Sequence, residues 1–276
     1  MCKQVLFKLI SRFRYDDISG YAAQISFFLL LSLFPFIILL TVVLAQTHIL
    51  DITQLFSFLR EYDAFPPDAL DFIEEVVQNL KIPTATLSFF TIVVIWCASR
   101  GVRAIMNGIH MAFRTRDSHG IVVKFLRSFF YTLTFAVMIV LLIVLILFGD
   151  FLFAWLQQIF RLPLPRLVNL GRYLIPSFFL LCLYLLLYRT IPGKKLQFKD
   201  VGIGALFATL ASLLVSKAFS IYTANFAQYT ALYGSISSII VICTWMYLFS
   251  FVLVLGAEIN AIIYEITHNT TLLPLK

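Results

Sequence analysis

Charge is what this chain has least of. Asp, Glu, Lys and Arg make up 13% of its 276 residues, about half the roughly 25% of a typical soluble domain. Hydrophobic residues make up 61%, and the mean hydropathy is +0.94. The apolar runs are spread along the whole length and leave no stretch for a separate soluble core, so one membrane domain over residues 1–276 is expected. Cysteine is also scarce. Cys2, Cys97, Cys182 and Cys243 are scattered without a C-x-x-C pair, which argues against a disulfide frame or a thiolate metal site. His48, His110, His119 and His268 are dispersed as well, with no H-x-x-x-H, no P-loop and no G-x-S-x-G. Metal-dependent phosphodiester cleavage needs several Asp, Glu or His converging on the ions. A ribonuclease is therefore disfavoured, and no enzymatic activity, metal or cofactor is expected.

What is present is a set of long apolar segments. Six lie at about 22–44, 84–104, 128–149, 174–188, 201–222 and 236–257. At about 1.5 Å per residue, most can cross a hydrocarbon layer of roughly 30 Å as helices. The first run, Tyr21 to Ala45, is well beyond the roughly 7 to 15 residues of a signal-peptide core, so Val43-Leu44-Ala45 is read as part of an uncleaved span. The net charge of +7 would suit nucleic acid, but the basic residues sort by connection. Lys3, Lys8, Arg12 and Arg14, then Arg100 to Arg127, then Arg189 to Lys199 alternate with connections that are acidic, weakly basic or uncharged. The positive-inside rule then predicts an all-α polytopic membrane protein with six transmembrane helices and both termini cytoplasmic. Membrane lipids are the expected partners, and no nucleic acid is expected.

Two amphipathic stretches flank these spans. Val5, Leu6, Leu9, Ile10 and Phe13 recur at helical spacing among bases, as in an interfacial helix on an anionic leaflet. A simple basic anchor is the plainer alternative. Between about 51 and 82, Leu70, Ile73, Val77 and Leu80 recur at helical spacing while Asp68, Asp71, Glu74 and Glu75 cover much of the rest, which predicts extracytoplasmic amphipathic helices with an acidic face.

Within the spans a few polar and special residues stand out. Pro35 interrupts the first and would kink it as a hinge or a packing feature. Gly204, Ala208, Ser212, Ser216 and Ser220 recur every fourth residue in the fifth, a ridge that admits a second helix closely. Lys217 on the same helix either snorkels or lines a wet path. Tyr222, Phe226, Tyr229 and Tyr233 suit an interfacial belt. Tyr229 and Tyr233 are candidates for an aromatic collar, and Gly234 for a turn before the sixth span. Arg100 near the end of the second span and Glu258 with Asn260 near the end of the sixth lie at the same depth. They are candidates for a substrate path or for a structural ion pair, the plainer alternative being a snorkelling Arg100 and a solvated Glu258.

The last third also resembles a known family. Pro192, Gly204-Ala205, Tyr222, Tyr229, Tyr233-Gly234-Ser235, Trp245-Met246-Tyr247 and Leu255-Gly256-Ala257-Glu258-Ile259-Asn260 look like the YihY/BrkB family of bacterial inner-membrane proteins. Ala22-Ala23, Ser32-Leu33, Pro35 and Ser99-Arg100 extend the resemblance over essentially the whole chain. One departure is His110, three residues before Phe113, where the family pattern carries Asn. The resemblance implies a six-span α-helical protein of the bacterial cytoplasmic membrane. Family members have been labelled a serum-resistance virulence factor and a tRNA-processing ribonuclease, ribonuclease BN, and a lipid or envelope-precursor transport role has been suggested for them. Together these considerations put a transporter or flippase of amphiphilic, anionic envelope substrates first. A scaffold that binds an envelope protein through the acidic segment comes second.

Overall fold

A computed structural model describes residues 2–47, 57, 60, 70–71, 74–75, 87–115, 120–147, 165–194, 196–224, 235–268 and 270. Those residues form seven helices and no strand. They are α1 Cys2–Tyr15, α2 Ile18–Thr47, α3 Leu87–Ala112, α4 Ile121–Leu147, α5 Pro165–Thr190, α6 Phe198–Ala224 and α7 Ser235–Thr267. Tyr229, Tyr233, Gly234 and most of the acidic segment 51–82 lie outside the described residues, as does the side chain of Pro35, whose position falls inside α2.

Among the described residues, Phe198–Tyr222 and Ile239–Thr267 are long and apolar enough to cross a membrane, with mean hydropathies of 1.7 and 2.4. Within α2 and α5 the described side chains form apolar stretches over Ile18–Ser32 and Leu174–Thr190. Large apolar side chains such as Phe129, Phe130 and Leu133 on α4 and Ile203, Leu206 and Leu210 on α6 are exposed. A water-soluble fold would bury such rows, whereas a fold that meets hydrocarbon need not.

Helix α7 is central. It packs against α6 on one side and α2 on the other; α2 lies along α3, α3 meets α4, and α5 supports α6. Chain reversals bring the C-terminal ends of α3, α5 and α7 together with α1 and the N-terminal ends of α2 and α6. The junctions there follow from local chemistry. Asp17 caps α2 by accepting from the Gly20 amide at 3.0 Å, the usual use of an Asp before a helix. Helix α3 ends in paired reversing bonds, Thr115 N–H to the His110 carbonyl at 2.9 Å and Arg114 N–H to the Met111 carbonyl at 2.9 Å. This is a Schellman-type ending, in which Arg114 takes the left-handed conformation at φ 51° that glycine usually fills. Helix α6 starts with the Asp200 carboxylate accepting from the Gln197 amide at 2.8 Å.

Small residues set how closely α6 and α7 approach. Gly204 on α6 and Gly256 on α7 face each other across the crossing. A Cβ on Gly204 would run into the Gly256 carbonyl and the Asn260 side chain. A Cβ on Gly256 would meet Ala208 at 2.9 Å and the Gly204 carbonyl at 3.0 Å. Apolar side chains gain nothing by leaving lipid for each other, so backbone proximity and interhelical hydrogen bonds must hold such a contact.

Candidate functional site

The polar groups at this end of the bundle converge on α1. Lys8 and Arg12 are one turn apart and share a face of α1, while Glu258 and Glu265, seven residues apart, share a face of α7. The two faces meet. Arg12 Nη1 donates to Glu258 Oε2 at 2.7 Å and to the Ala112 carbonyl at 3.0 Å. Its Nη2 reaches Glu265 Oε1 at 2.9 Å, and Lys8 Nζ lies 3.1 Å from Glu265 Oε2. A planar guanidinium with several fixed donors suits this three-way attachment better than an ammonium would. Arg12 is 6% exposed, Glu265 8% and Glu258 0%. A second tie, Arg114 Nη2 to Asp16 Oδ2 at 3.1 Å, fastens the α1–α2 turn to the end of α3.

This arrangement corrects the sequence reading of Glu258. The carboxylate does not meet headgroups at a helix end, because α7 continues to Thr267. Its partner is Arg12 and not Arg100. A buried carboxylate requires a cation, and α1 delivers one by folding its basic face inward. Phe7, Ile10 and Phe13 on α1 remain exposed.

Arg100 lies on the exposed side of α3, its guanidinium 5.2 Å from the centre of the Trp96 ring. One turn on, Arg103 sits 5.7 Å from the Phe125 ring and donates to the Ser99 carbonyl at 3.1 Å. Both are cation–π contacts of ordinary geometry. Lys217 is exposed on α6 and is not brought to Arg100 or Glu258.

Asn260 is buried at the α6–α7 crossing, where its Oδ1 accepts from the Gly204 amide at 2.7 Å. It joins the two helices. Ala208 and Ser212 are buried on the same ridge, and the Ser212 hydroxyl lies 2.8 Å from the Tyr184 hydroxyl. Ser216 is half-buried. Tyr188, stacked on Tyr184 with ring centres 5.7 Å apart, donates to the Leu253 carbonyl at 2.7 Å. Among the described residues Glu258 Oε1 and Asn260 Nδ2 have no hydrogen-bond partner. No group of three or more His, Cys, Asp or Glu is placed to hold a metal ion among those same residues.

Arg12, Lys8, Glu265, Tyr184 and Tyr188 are thus the residues that sequence reasoning missed. One signal was available. Two bases four apart on the first helix complement two acids seven apart on the last, in spacings that put each pair on one helix face.

Comparison with known proteins agrees with a membrane protein of this kind. The putative ribonuclease-like protein YfkH of Bacillus subtilis is 32% identical over 268 residues, covering 94% of each chain. A UPF0761 membrane protein of Aeromonas salmonicida is 27% identical over 92% of this chain and 87% of its own. Another, from Pseudoalteromonas translucida, is 36% identical over 80 residues, 29% of this chain and 27% of its own. No solved structure matches. The family described as Virulence factor BrkB matches residues 9–274, and with apolar helices meeting across a glycine crossing and relatives that are membrane proteins, this chain is a membrane protein belonging to that family.

Proposed function

We propose that this is a six-span, N-in/C-in protein of the bacterial cytoplasmic membrane that carries lipid-like, anionic envelope substrates across the bilayer and is not an enzyme. The topology is supported by where the basic residues fall. Lys8, Arg12, Arg114, Arg189, Lys194 and Lys199 all belong to the end at which α1 docks, and a concentration of Lys and Arg on one side is the signature of the cytoplasmic face. The ribonuclease-like name belongs to YfkH; the dispersed histidines of this chain offer little to that chemistry.

The observation that carries the transport reading is Arg100. It is an exposed cation on an apolar helix, supported by an aromatic ring and with no carboxylate partner among the described residues. A charge so placed is costly unless an anion reaches it. Lys217, exposed on α6, would serve toward the opposite leaflet. Glu258 and Asn260 belong to the packed interior and are left out of the path. The test is reconstitution in vesicles with a fluorescent anionic phospholipid. The protein should accelerate transbilayer movement, and Arg100→Gln should slow it while leaving thermal stability unchanged. Movement no faster than in protein-free vesicles would remove the reading.

A scaffold is the second reading, and one observation favours it. In the acidic segment Arg60 Nη2 reaches Asp71 Oδ1 at 2.6 Å and Glu74 Oε2 at 2.7 Å, beside a buried Leu70. The segment therefore has internal structure that an envelope protein could dock on. Neutralising Asp71, Glu74 and Glu75 should then abolish the cellular phenotype while the spans still assemble. Retention of the phenotype would count against docking.

A further inference from the structure

Where α5 turns into α6, the chain forms an open cleft of about 650 Å³ lined by Arg189, Thr190, Lys194, Leu196, Gln197 and Phe198. Its two cations are held by aromatic rings. The Arg189 guanidinium carbon lies 3.9 Å from the centre of the Phe198 ring, and Lys194 Nζ lies 5.5 Å from that of Tyr264. Among the described residues neither cation forms an ion pair. The nearby acids are committed elsewhere. Asp200 accepts from the Gln197 amide and sits 3.2 Å from His268 Nε2, while Glu265 is held by Arg12 and Lys8. Burial pulls the Lys194 ammonium below its ordinary value, and the Glu265 charge pushes it back up. The Thr190 hydroxyl donates to the Leu186 carbonyl at 2.6 Å, which leaves, among the described residues lining the cleft, the two cations and the side-chain amide of the exposed Gln197 as donors.

We propose that this cleft binds the phosphate of an anionic glycerophospholipid. The guanidinium and ammonium would contact the phosphate oxygens, the Gln197 side-chain amide would donate to a neighbouring oxygen, and the acyl chains would lie along the exposed apolar flank of α6. Paired cations recognise phosphate through charge-assisted hydrogen bonds, and aromatic rings keep them extended. A lipid is favoured over free phosphate because the cleft opens beside Phe198, beyond which Ile203, Leu206, Phe207 and Leu210 are all exposed. The site goes beyond the transport reading and does not require it, since a lipid can bind here whether or not it is moved.

The experiment uses the full chain purified in an uncharged detergent, with binding of four probes measured by calorimetry: dioctanoyl phosphatidic acid, dioctanoyl phosphatidylglycerol, dioctanoyl phosphatidylcholine and inorganic phosphate. Both anionic lipids should bind and weaken as salt is raised. The double variant R189Q/K194Q should lose about tenfold or more in affinity for them, while R189K/K194R, which keeps both charges, should retain binding. An unchanged thermal melt of R189Q/K194Q would separate lost binding from lost folding. Equal affinity in R189Q/K194Q, or phosphatidylcholine binding as tightly as the anionic lipids, would overturn the proposal. Inorganic phosphate binding as tightly as the lipids would overturn the lipid as the source of the phosphate.

Discussion

Arg12 and Arg100 carry the same guanidinium in opposite surroundings. Arg12 lies in a short basic helix that reads as a surface anchor, yet it is buried and bonded to two carboxylates and a backbone carbonyl. Arg100 sits in a long apolar helix, where a charge reads as half of a buried pair, yet it is exposed and supported by Trp96. The difference shows that a cation's neighbours in sequence do not decide its burial; the carboxylates that tertiary packing brings to it do. The sealed cluster holds the helices, and the exposed cation is available to something outside.

The largest effect expected is at the sealed cluster. Arg12→Ala leaves Glu258 without its cation in a buried site, which should cost about 3 to 5 kcal/mol. Thermal unfolding in detergent would read the loss, and limited proteolysis should cut α1 faster. A melt close to wild type would break the contrast with Arg100. Next comes the helix crossing. Gly256→Ala places a methyl against Ala208 and the Gly204 carbonyl, and overpacking of that kind costs about 1 to 3 kcal/mol. The same melt should drop, by less than for Arg12→Ala.

A smaller change tests the interior polar contacts. Tyr188→Phe removes the donor to the Leu253 carbonyl and should cost about 1 kcal/mol, with the α5–α6–α7 packing otherwise kept. The smallest stability effect belongs to Arg100→Gln. It should leave the melting temperature unchanged while slowing lipid movement, and a large drop in stability would mean that Arg100 is structural after all. A double-mutant cycle sharpens the point, because Arg12→Gln and Glu258→Gln should couple by about 0.5 to 3 kcal/mol, whereas Arg100→Gln and Glu258→Gln should simply add.

Much of the fold is legible in the residues themselves. The apolar runs mark helices, Asp17 marks the start of one, and the fourfold spacing from Gly204 to Ser216 marks a face that another helix can approach. The ends are less legible. The sixth apolar run gives way to polar residues at Glu258, but α7 continues to Thr267, because the acids there are neutralised from α1 instead of by solvent. The helix after Arg100 likewise continues to Ala112, so a residue that looks terminal lies well inside the helix. At Glu258 the charge reads as a helix boundary because its partner, Arg12, lies 246 positions away in sequence.

By itself the amino-acid sequence determined an all-helical membrane protein with an amphipathic first helix and a small-residue ridge, because composition and periodicity act within a few turns of chain. Only the tertiary structure decided that Gly204 meets Gly256, that Arg12 holds Glu258 and that Arg100 stays outside. Those outcomes depend on groups as far as 246 positions apart. A buried charge is stable only when its counter-charge arrives at bonding distance, and no local pattern encodes that arrival.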